Sequence, residues 1–190
     1  IAVPLTILLS PIMLLVAFAI KCCDGGPVFY RQVRCTKDNR EFSILKFRSM
    51  IVDAEKSGEA VLAKEHDERI TPVGRFLRAV RLDELPQLFN VLSGDMSLVG
   101  PRPERPEIIA EYQKEMPEFV FRTRVKAGVT GFAQIYGKYN TVPYDKLKLD
   151  LFYIENYSLW MDLKLILMTV KTVLKREGIS SETAATMELF

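Results

Sequence analysis

The first twenty positions, Ile1 to Ile20, carry no charged residue, whereas charge recurs along the rest of the chain. As a straight helix this run would be about 30 Å long, near the thickness of a bilayer's hydrocarbon core. Ser10-Pro11 stands in its middle. Pro11 removes a backbone donor and crowds the preceding turn, and Ser10 can bond a freed carbonyl and favour a bend. The run therefore reads as a spanning helix, as a helix-break-helix hairpin that enters and leaves by one face, or as the buried core helix of a soluble protein.

Asp24-Gly25-Gly26-Pro27 is a turn that closes this element. Val28 to Val33 and Glu41 to Met50 read as two strands joined around Lys37-Asp38-Asn39. In the second strand, Lys46 and Arg48 share one face with Phe42 and Ile44, and Leu45 and Phe47 share the other. Ile51 to Asp67 is polar and reads as a helix followed by a loop, and Pro72 to Arg81 reads as a short helix. Leu85, Leu88, Phe89 and Leu92 fall at i, i+3, i+4 and i+7, one apolar helix face. Near the end, Leu163, Ile166, Leu167, Val170, Val173 and Leu174 recur at helical spacing, with Lys164, Lys171 and Lys175 on another face and Trp160 at the start. This pattern fits a basic amphipathic helix in a membrane interface, or an ordinary surface helix packed on a core.

At 190 residues the chain fits one domain, or one domain with a membrane element. A net charge of +2 excludes a generally basic nucleic-acid binder. Cys22, Cys23 and Cys35 make neither a disulfide framework nor a zinc spacing, so a reducing, cytosol-facing compartment is expected. Cys22 and Cys23 read as a lipidated juxtamembrane pair or as small hydrophobes. The chain starts inside an apolar run without an initiator Met, so residues upstream are expected. His66, the single histidine, has no Cys or second His near it and reads as a solvated loop residue.

Arg75, Arg78 and Arg81 stand at three-residue spacing, a stripe that repels itself unless an anion or a carboxylate sits among them. Asp83 and Glu84 follow. Pro86 is tolerated only in a first turn, so a helix begins close to Asp83. Carboxylates there meet free backbone donors and the positive end of the helix dipole, which are expected to keep them ionised. A helix cap alone fits that much. Beyond the helix comes Val99-Gly100-Pro101-Arg102-Pro103, where two prolines fix the backbone around Arg102. The planar fork of Arg bonds two phosphate oxygens at once. Carboxylates flanked by preorganised arginines fit chemistry on a phosphate diester or anhydride.

The stretch LDELPQLFNVLSGDMSLVGPRP resembles the most diagnostic block of the bacterial sugar transferases, the monotopic phosphoglycosyl transferases. Supporting blocks are GGPVFYRQVR, ILKFRSM, RITPVGRFLR, VTGFAQIYGKYN and KLKLDLFYIENYSLWMDLKLILMTVKTVL, in family order from the first apolar residues to about Glu177. Three positions depart from the pattern. Ala127-Gly128 stands where Pro-Gly is common, Phe132 where Trp is, and Lys138 near a usual Arg.

The resemblance implies an α/β membrane-associated domain with a re-entrant N-terminal helix-break-helix and interfacial amphipathic helices. Its parts would be a membrane helix over residues 1–21, a catalytic domain over 22–177 and a tail over 178–190. It implies a UDP-sugar donor, an undecaprenyl phosphate acceptor, Mg²⁺ and a place at the bacterial cytoplasmic membrane facing the cytosol, at the first membrane step of polysaccharide or glycoconjugate assembly. Asp83 would be the nucleophile, carrying the phospho-sugar after UMP leaves, and a Mg²⁺ ligand. Glu84 would be its dyad partner. Arg78, Arg102 and Lys46 would bind phosphate, Asp150 would position or form a local ion pair, and Lys138 would position. No nucleic acid is expected, and a homo-oligomer is compatible with the family. A binding module without turnover and a transferase that moves only the sugar are the rival readings.

Overall fold

The computed structural model describes residues 1–52, 54, 67–137 and 141–176. The polar helix expected within 51–67 falls largely outside these residues, and His66, Lys138 and the tail 178–190 fall wholly outside them. Helix α1 (Ala2–Asp24) runs without interruption through Pro11. Pro11 cannot donate to the carbonyl of Ile7, one turn back, and the Ser10 hydroxyl donates to that same oxygen at 2.8 Å. A break into two separate helices is therefore not observed. The serine replaces the bond that the proline removes. The helix is long and apolar enough to cross a membrane. It ends where Gly25 takes a left-handed conformation (φ 69°), which only glycine adopts freely, and its N–H caps the Lys21 carbonyl.

Met13, Val16 and Ile20 form the one buried stripe of α1, spaced by three and four residues. They pack against Phe47 and Leu77, with Leu82 and Leu85 alongside. Leu14, Leu15 and Phe18, on its other faces, remain exposed. The helix thus docks by its second half, on residues that flank Asp83 and Glu84.

Strands β1 (Phe29–Cys35) and β2 (Glu41–Phe47) form the expected hairpin, antiparallel, with Tyr30 opposite Lys46. Its turn spans Lys37–Asn39, and Asp38 and Asn39 both have φ 57°, a conformation these two residue types tolerate. β2 stops three residues before Met50, which instead bridges Ile70. Both faces of β2 are covered. Phe42 and Ile44 pack with Met96, and Phe47 lies under α1. Arg48 is buried and ties the strand's end to α1, donating to Asp24 (2.6 Å) and to the Pro27 carbonyl (2.6 Å).

Helix α2 (Pro72–Ala79) is capped by the Thr71 hydroxyl, which accepts from Gly74 N–H at 2.9 Å. A Cβ on Gly74 would lie 1.9 Å from the Ser49 carbonyl, so glycine is required for this approach. A single turn of 3₁₀ helix (Leu82–Glu84) and the short helix α3 (Gln87–Leu92) follow. Then come β3 (Ser97–Val99), α4 (Pro106–Glu115), a 3₁₀ stretch (Pro117–Arg124), β4 (Gly128–Thr130), α5 (Phe132–Tyr136), α6 (Pro143–Asn156) and α7 (Leu159–Arg176). β3 and β4 pair in parallel. The class is mixed helix and sheet, as expected, with the described strands in two small sheets.

The pattern in α7 has a clear outcome. Leu165 is its buried contact, and Thr169 bonds Thr130 across to β4. Leu163, Leu167 and Val170 of the expected apolar stripe are exposed, as are Leu159 and Trp160. Ile166 of the stripe packs on the core, so the stripe serves the core only in part.

Candidate active site

The dyad lies in a turn that the sequence placed correctly and described incompletely. α2 ends at Ala79, and Arg81 takes a left-handed conformation (φ 59°) rather than continuing the helix. A non-glycine residue pays about 1–2 kcal/mol for this geometry. It takes Arg81 off the stripe of Arg75 and Arg78 and points the chain into the Leu82–Glu84 turn. The Arg81 guanidinium then lies 3.8 Å from Glu84 Oε2. The expected three-arginine stripe is therefore two arginines, with the third turned to the dyad.

Asn90 stitches α3 to β2. Its amide oxygen accepts from Leu45 N–H and its amide nitrogen donates to the Ser43 carbonyl, both at 2.9 Å. This fixes the strand's next residue, Lys46, beside the dyad, and its ammonium donates to Glu84 Oε1 at 3.0 Å. Arg102 arrives from the far side. Its guanidinium meets Glu84 through Nη2–Oε1 at 2.7 Å and Nη1–Oε2 at 3.5 Å. Three of the expected cationic or acidic residues, Lys46, Arg102 and Glu84, are thus brought together as one ion cluster with Arg81.

Asp83 differs from its neighbour. It is buried to the same degree, 9% exposed like Glu84. Yet among the described residues no donor or cation sits within bonding distance of its carboxylate. Burial, then the Glu84 charge, pushes its carboxyl up to about 6, against the opposing pull of Lys46, Arg81 and Arg78. For Glu84, burial also disfavours the charge, but Arg102, Lys46 and Arg81 outweigh it and hold the group well below the usual carboxylate range. Burial lowers the Lys46 ammonium despite Glu84. The helix terminus expected to keep Asp83 ionised does not lower its pKa, although a value of about 6 still leaves the group ionised at neutral pH. The helix that follows is only Gln87–Leu92, and burial beside another carboxylate dominates.

Arg102 is presented by a segment held on several sides. Gly100 donates to the Thr130 carbonyl and Gly128 to the Pro101 carbonyl, both at 2.9 Å. A Cβ on Gly100 would lie 2.4 Å from the Lys126 carbonyl, so only glycine lets β3 pass β4 so closely. Arg78 reaches Asp83 through its charge. Asp150, 1% exposed, is not at the dyad. It pairs with Arg122 (Oδ2 to Nε 3.0 Å, to Nη2 2.8 Å), which also lies 3.5 Å from Glu104. The alternative of a local ion pair for Asp150 is the one observed. Arg122 and Glu104 were not singled out from the sequence. Their partners lie tens of residues away, and no local pattern marks them.

Mg²⁺ is commonly held by one or two carboxylates together with substrate phosphates. Asp83 fits such a role, because its oxygens carry no bonded cation, whereas both Glu84 oxygens are already engaged. Among the described residues no group of three or more His, Cys, Asp or Glu side chains makes a self-sufficient metal cage.

The bacterial sugar transferase family model matches residues 1–176. The chain is 44% identical over 181 residues to an Aeromonas hydrophila protein named UDP-N-acetylgalactosamine-undecaprenyl-phosphate N-acetylgalactosaminephosphotransferase, covering 94% of this chain and 42% of that protein. It is 45% identical over 169 residues to a Klebsiella pneumoniae UDP-glucose:undecaprenyl-phosphate glucose-1-phosphate transferase, covering 86% of this chain and 36% of the relative. A Caulobacter vibrioides protein of that same name is 43% identical over 179 residues, 92% of this chain and 67% of its own length. The chain thus spans less than half of the first two relatives.

Proposed function

The chain belongs to the bacterial sugar transferase family, and from that premise we propose that it transfers a sugar 1-phosphate from a UDP-sugar to undecaprenyl phosphate and releases UMP. The relatives' names support the donor and acceptor classes. Those names differ in the sugar, so the reading stops at UDP-sugars. One observation carries the chemistry: Asp83, a buried carboxylate with no bonded cation among the described residues, stands beside a carboxylate saturated with cations.

In this reading an Asp83 oxygen attacks the sugar-bearing phosphorus. The bond from that phosphorus to the bridging oxygen breaks, and UMP leaves with that oxygen. An aspartyl phospho-sugar remains. An oxygen of the lipid phosphate then attacks the same phosphorus, the bond to Asp83 breaks, and the carboxylate is restored. Splitting one displacement into two is the usual advantage of such a nucleophile. A carboxyl whose pKa is raised is more basic, hence more nucleophilic, than a solvated one once ionised. Glu84, occupied by Lys46, Arg102 and Arg81, holds these cations where they face the incoming phosphate. Their charge opposes the repulsion between Asp83 and the diphosphate. Arg78 adds positive potential from α2. Asp83 would hold Mg²⁺, which when bound would supply further charge neutralisation for the diphosphate.

The membrane placement follows the same reading. The lipid phosphate lies at headgroup depth and the nucleotide sugar in the cytosol, and α1 packs on Leu82 and Leu85 around the dyad. The exposed residues of α7 support an interfacial position, because Trp160, Leu163 and Leu167 stay exposed among the described residues. We read α1 as re-entrant, entering and leaving at the cytosolic face of the bacterial cytoplasmic membrane. In that reading the helix, continuous in the structure, would bend at Ser10-Pro11 in the membrane. Cysteine labels at Ile1 and at Cys23 should then react from the same face, and labelling from opposite faces would make α1 a span.

The deciding experiment mixes the protein with UDP-sugars, Mg²⁺ and undecaprenyl phosphate in vesicles. UMP release is the expected result. UDP release would mean transfer of the sugar alone, and binding without turnover would make this a recognition module.

A further inference from the structure

The buried cluster around Arg122 has a contact that its own ion pairs do not explain. While Nε and Nη2 face Asp150, Nη2 also donates to the main-chain carbonyl of Arg102 at 3.0 Å. From the geometry we infer that Arg122 is a positioning residue, which fixes the backbone of Arg102 and thereby aims its guanidinium at Glu84.

Arg122 and Asp150 are 3% and 1% exposed. A buried ion pair is weak evidence of stabilisation, since desolvation offsets most of its attraction. Its value here lies in direction. Asp150 comes from α6, Arg122 from the Pro117–Arg124 stretch, and the pair converges on Pro101–Glu104. The same segment is gripped again from β1. Arg34 donates to the Pro103 carbonyl at 3.2 Å and Cys35 N–H to the Glu104 carbonyl at 2.9 Å. The Glu104 side chain closes the arrangement on Lys146 at 3.1 Å and Arg122 at 3.5 Å. Three carbonyls in succession, those of Arg102, Pro103 and Glu104, are thereby held. Pro101 and Pro103 remove two φ freedoms beside them. Arg102 is left with its side-chain torsions alone, and these end on Glu84.

The inference rests on the proposed reaction only for its consequence in turnover, so the test has two arms. Arg122→Lys keeps a positive charge between Asp150 and Glu104, but the shorter ammonium lacks the fork whose Nε, Nη1 and Nη2 span Asp150, Glu104 and the Arg102 carbonyl together. In the first arm, thermal midpoints are measured for Glu84→Gln, Arg102→Met and the double variant. Each is made in the wild-type and in the Arg122→Lys background. Contacting residues give non-additive effects. The coupling between 84 and 102 should be present in the first background and vanish in the second. Its survival would overturn the positioning role, and no turnover is needed to see this.

In the second arm, Arg122→Lys should lower kcat/KM on the order of tenfold to a hundredfold, the scale of a small misplacement near the chemistry. Adding it to Arg102→Lys should cost little more, whereas a merely structural arginine would give multiplied losses. A wild-type protein that releases no UMP overturns the proposed reaction and leaves the first arm intact. If Arg122→Lys does not fold, Asp150→Asn takes its place, retaining an oxygen for Nε and losing the charge. It should weaken the same coupling, and unchanged coupling there counts against the inference.

Discussion

In the cluster around Arg122, both carboxylates have cations at bonding distance: Asp150 has Arg122, and Glu104 has Lys146. In the dyad, Glu84 has Lys46 and Arg102, while Asp83, as deeply buried, has none among the described residues. Both regions remove charge from water, and only one leaves a charge unmatched. A matched buried cluster holds geometry. An unmatched carboxylate is costly to keep and is where a phosphorus or a metal ion can be received. The two are joined by Arg102, whose side chain belongs to the dyad and whose carbonyl belongs to the other cluster.

The largest effect should separate Asp83 from Asp150. Asp83→Asn should lower UMP release by about a thousandfold or more, because an amide is a poor nucleophile, with the protein still folded in the membrane fraction. Chelation of Mg²⁺ by EDTA should likewise abolish turnover without changing the thermal midpoint of the substrate-free protein.

Glu84→Gln should act on stability. Removing one partner of a buried ion cluster typically costs about 3–5 kcal/mol, read as a lower unfolding midpoint. Arg102→Lys should keep the fold and lower kcat/KM by roughly tenfold to a hundredfold, since the charge stays and the two-point contact is lost.

The pH profile sharpens the comparison further. In the proposed reaction Asp83 acts as the carboxylate, and its pKa is raised to about 6. The kcat/KM of the wild type should therefore fall as pH drops through about 6, by about tenfold per unit below it.

The smallest effect concerns stability. For Asp83 the folded pKa lies above the ordinary 3.8, so its contribution is fully present below that value and is lost as pH rises through about 6. Asp83→Asn should therefore raise stability by about 1–3 kcal/mol at pH 8 and bring no gain at pH 4. Equal gains at both pH values would remove buried charge as the reason.

The sequence already carried much of this site. The apolar spacing from Leu85 to Leu92 and the position of Pro86 located the dyad's turn, and the paired prolines marked Arg102. Lys46 was legible as a strand residue, but its contact with Glu84 depends on Asn90 stitching α3 to β2 across 45 residues of chain. The left-handed Arg81 was not legible, because nothing in its residue type asks for φ 59°. The Arg122 cluster was invisible for a related reason. Arg122 and Asp150 stand 28 residues apart and Arg122 and Arg102 stand 20 apart, so tertiary packing alone brings them together. The raised pKa of Asp83 also comes from burial, which local pattern does not report.

The central claim is that the unmatched carboxylate becomes covalently loaded. Labelled UDP-sugar and Mg²⁺ are added without the lipid acceptor, the protein is quenched, and its peptides are read by mass spectrometry. A phospho-sugar on Asp83, absent in Asp83→Asn and discharged when undecaprenyl phosphate is added, is the predicted result. UMP release that strictly requires the lipid, with no adduct on Asp83, would contradict it and make the transfer direct.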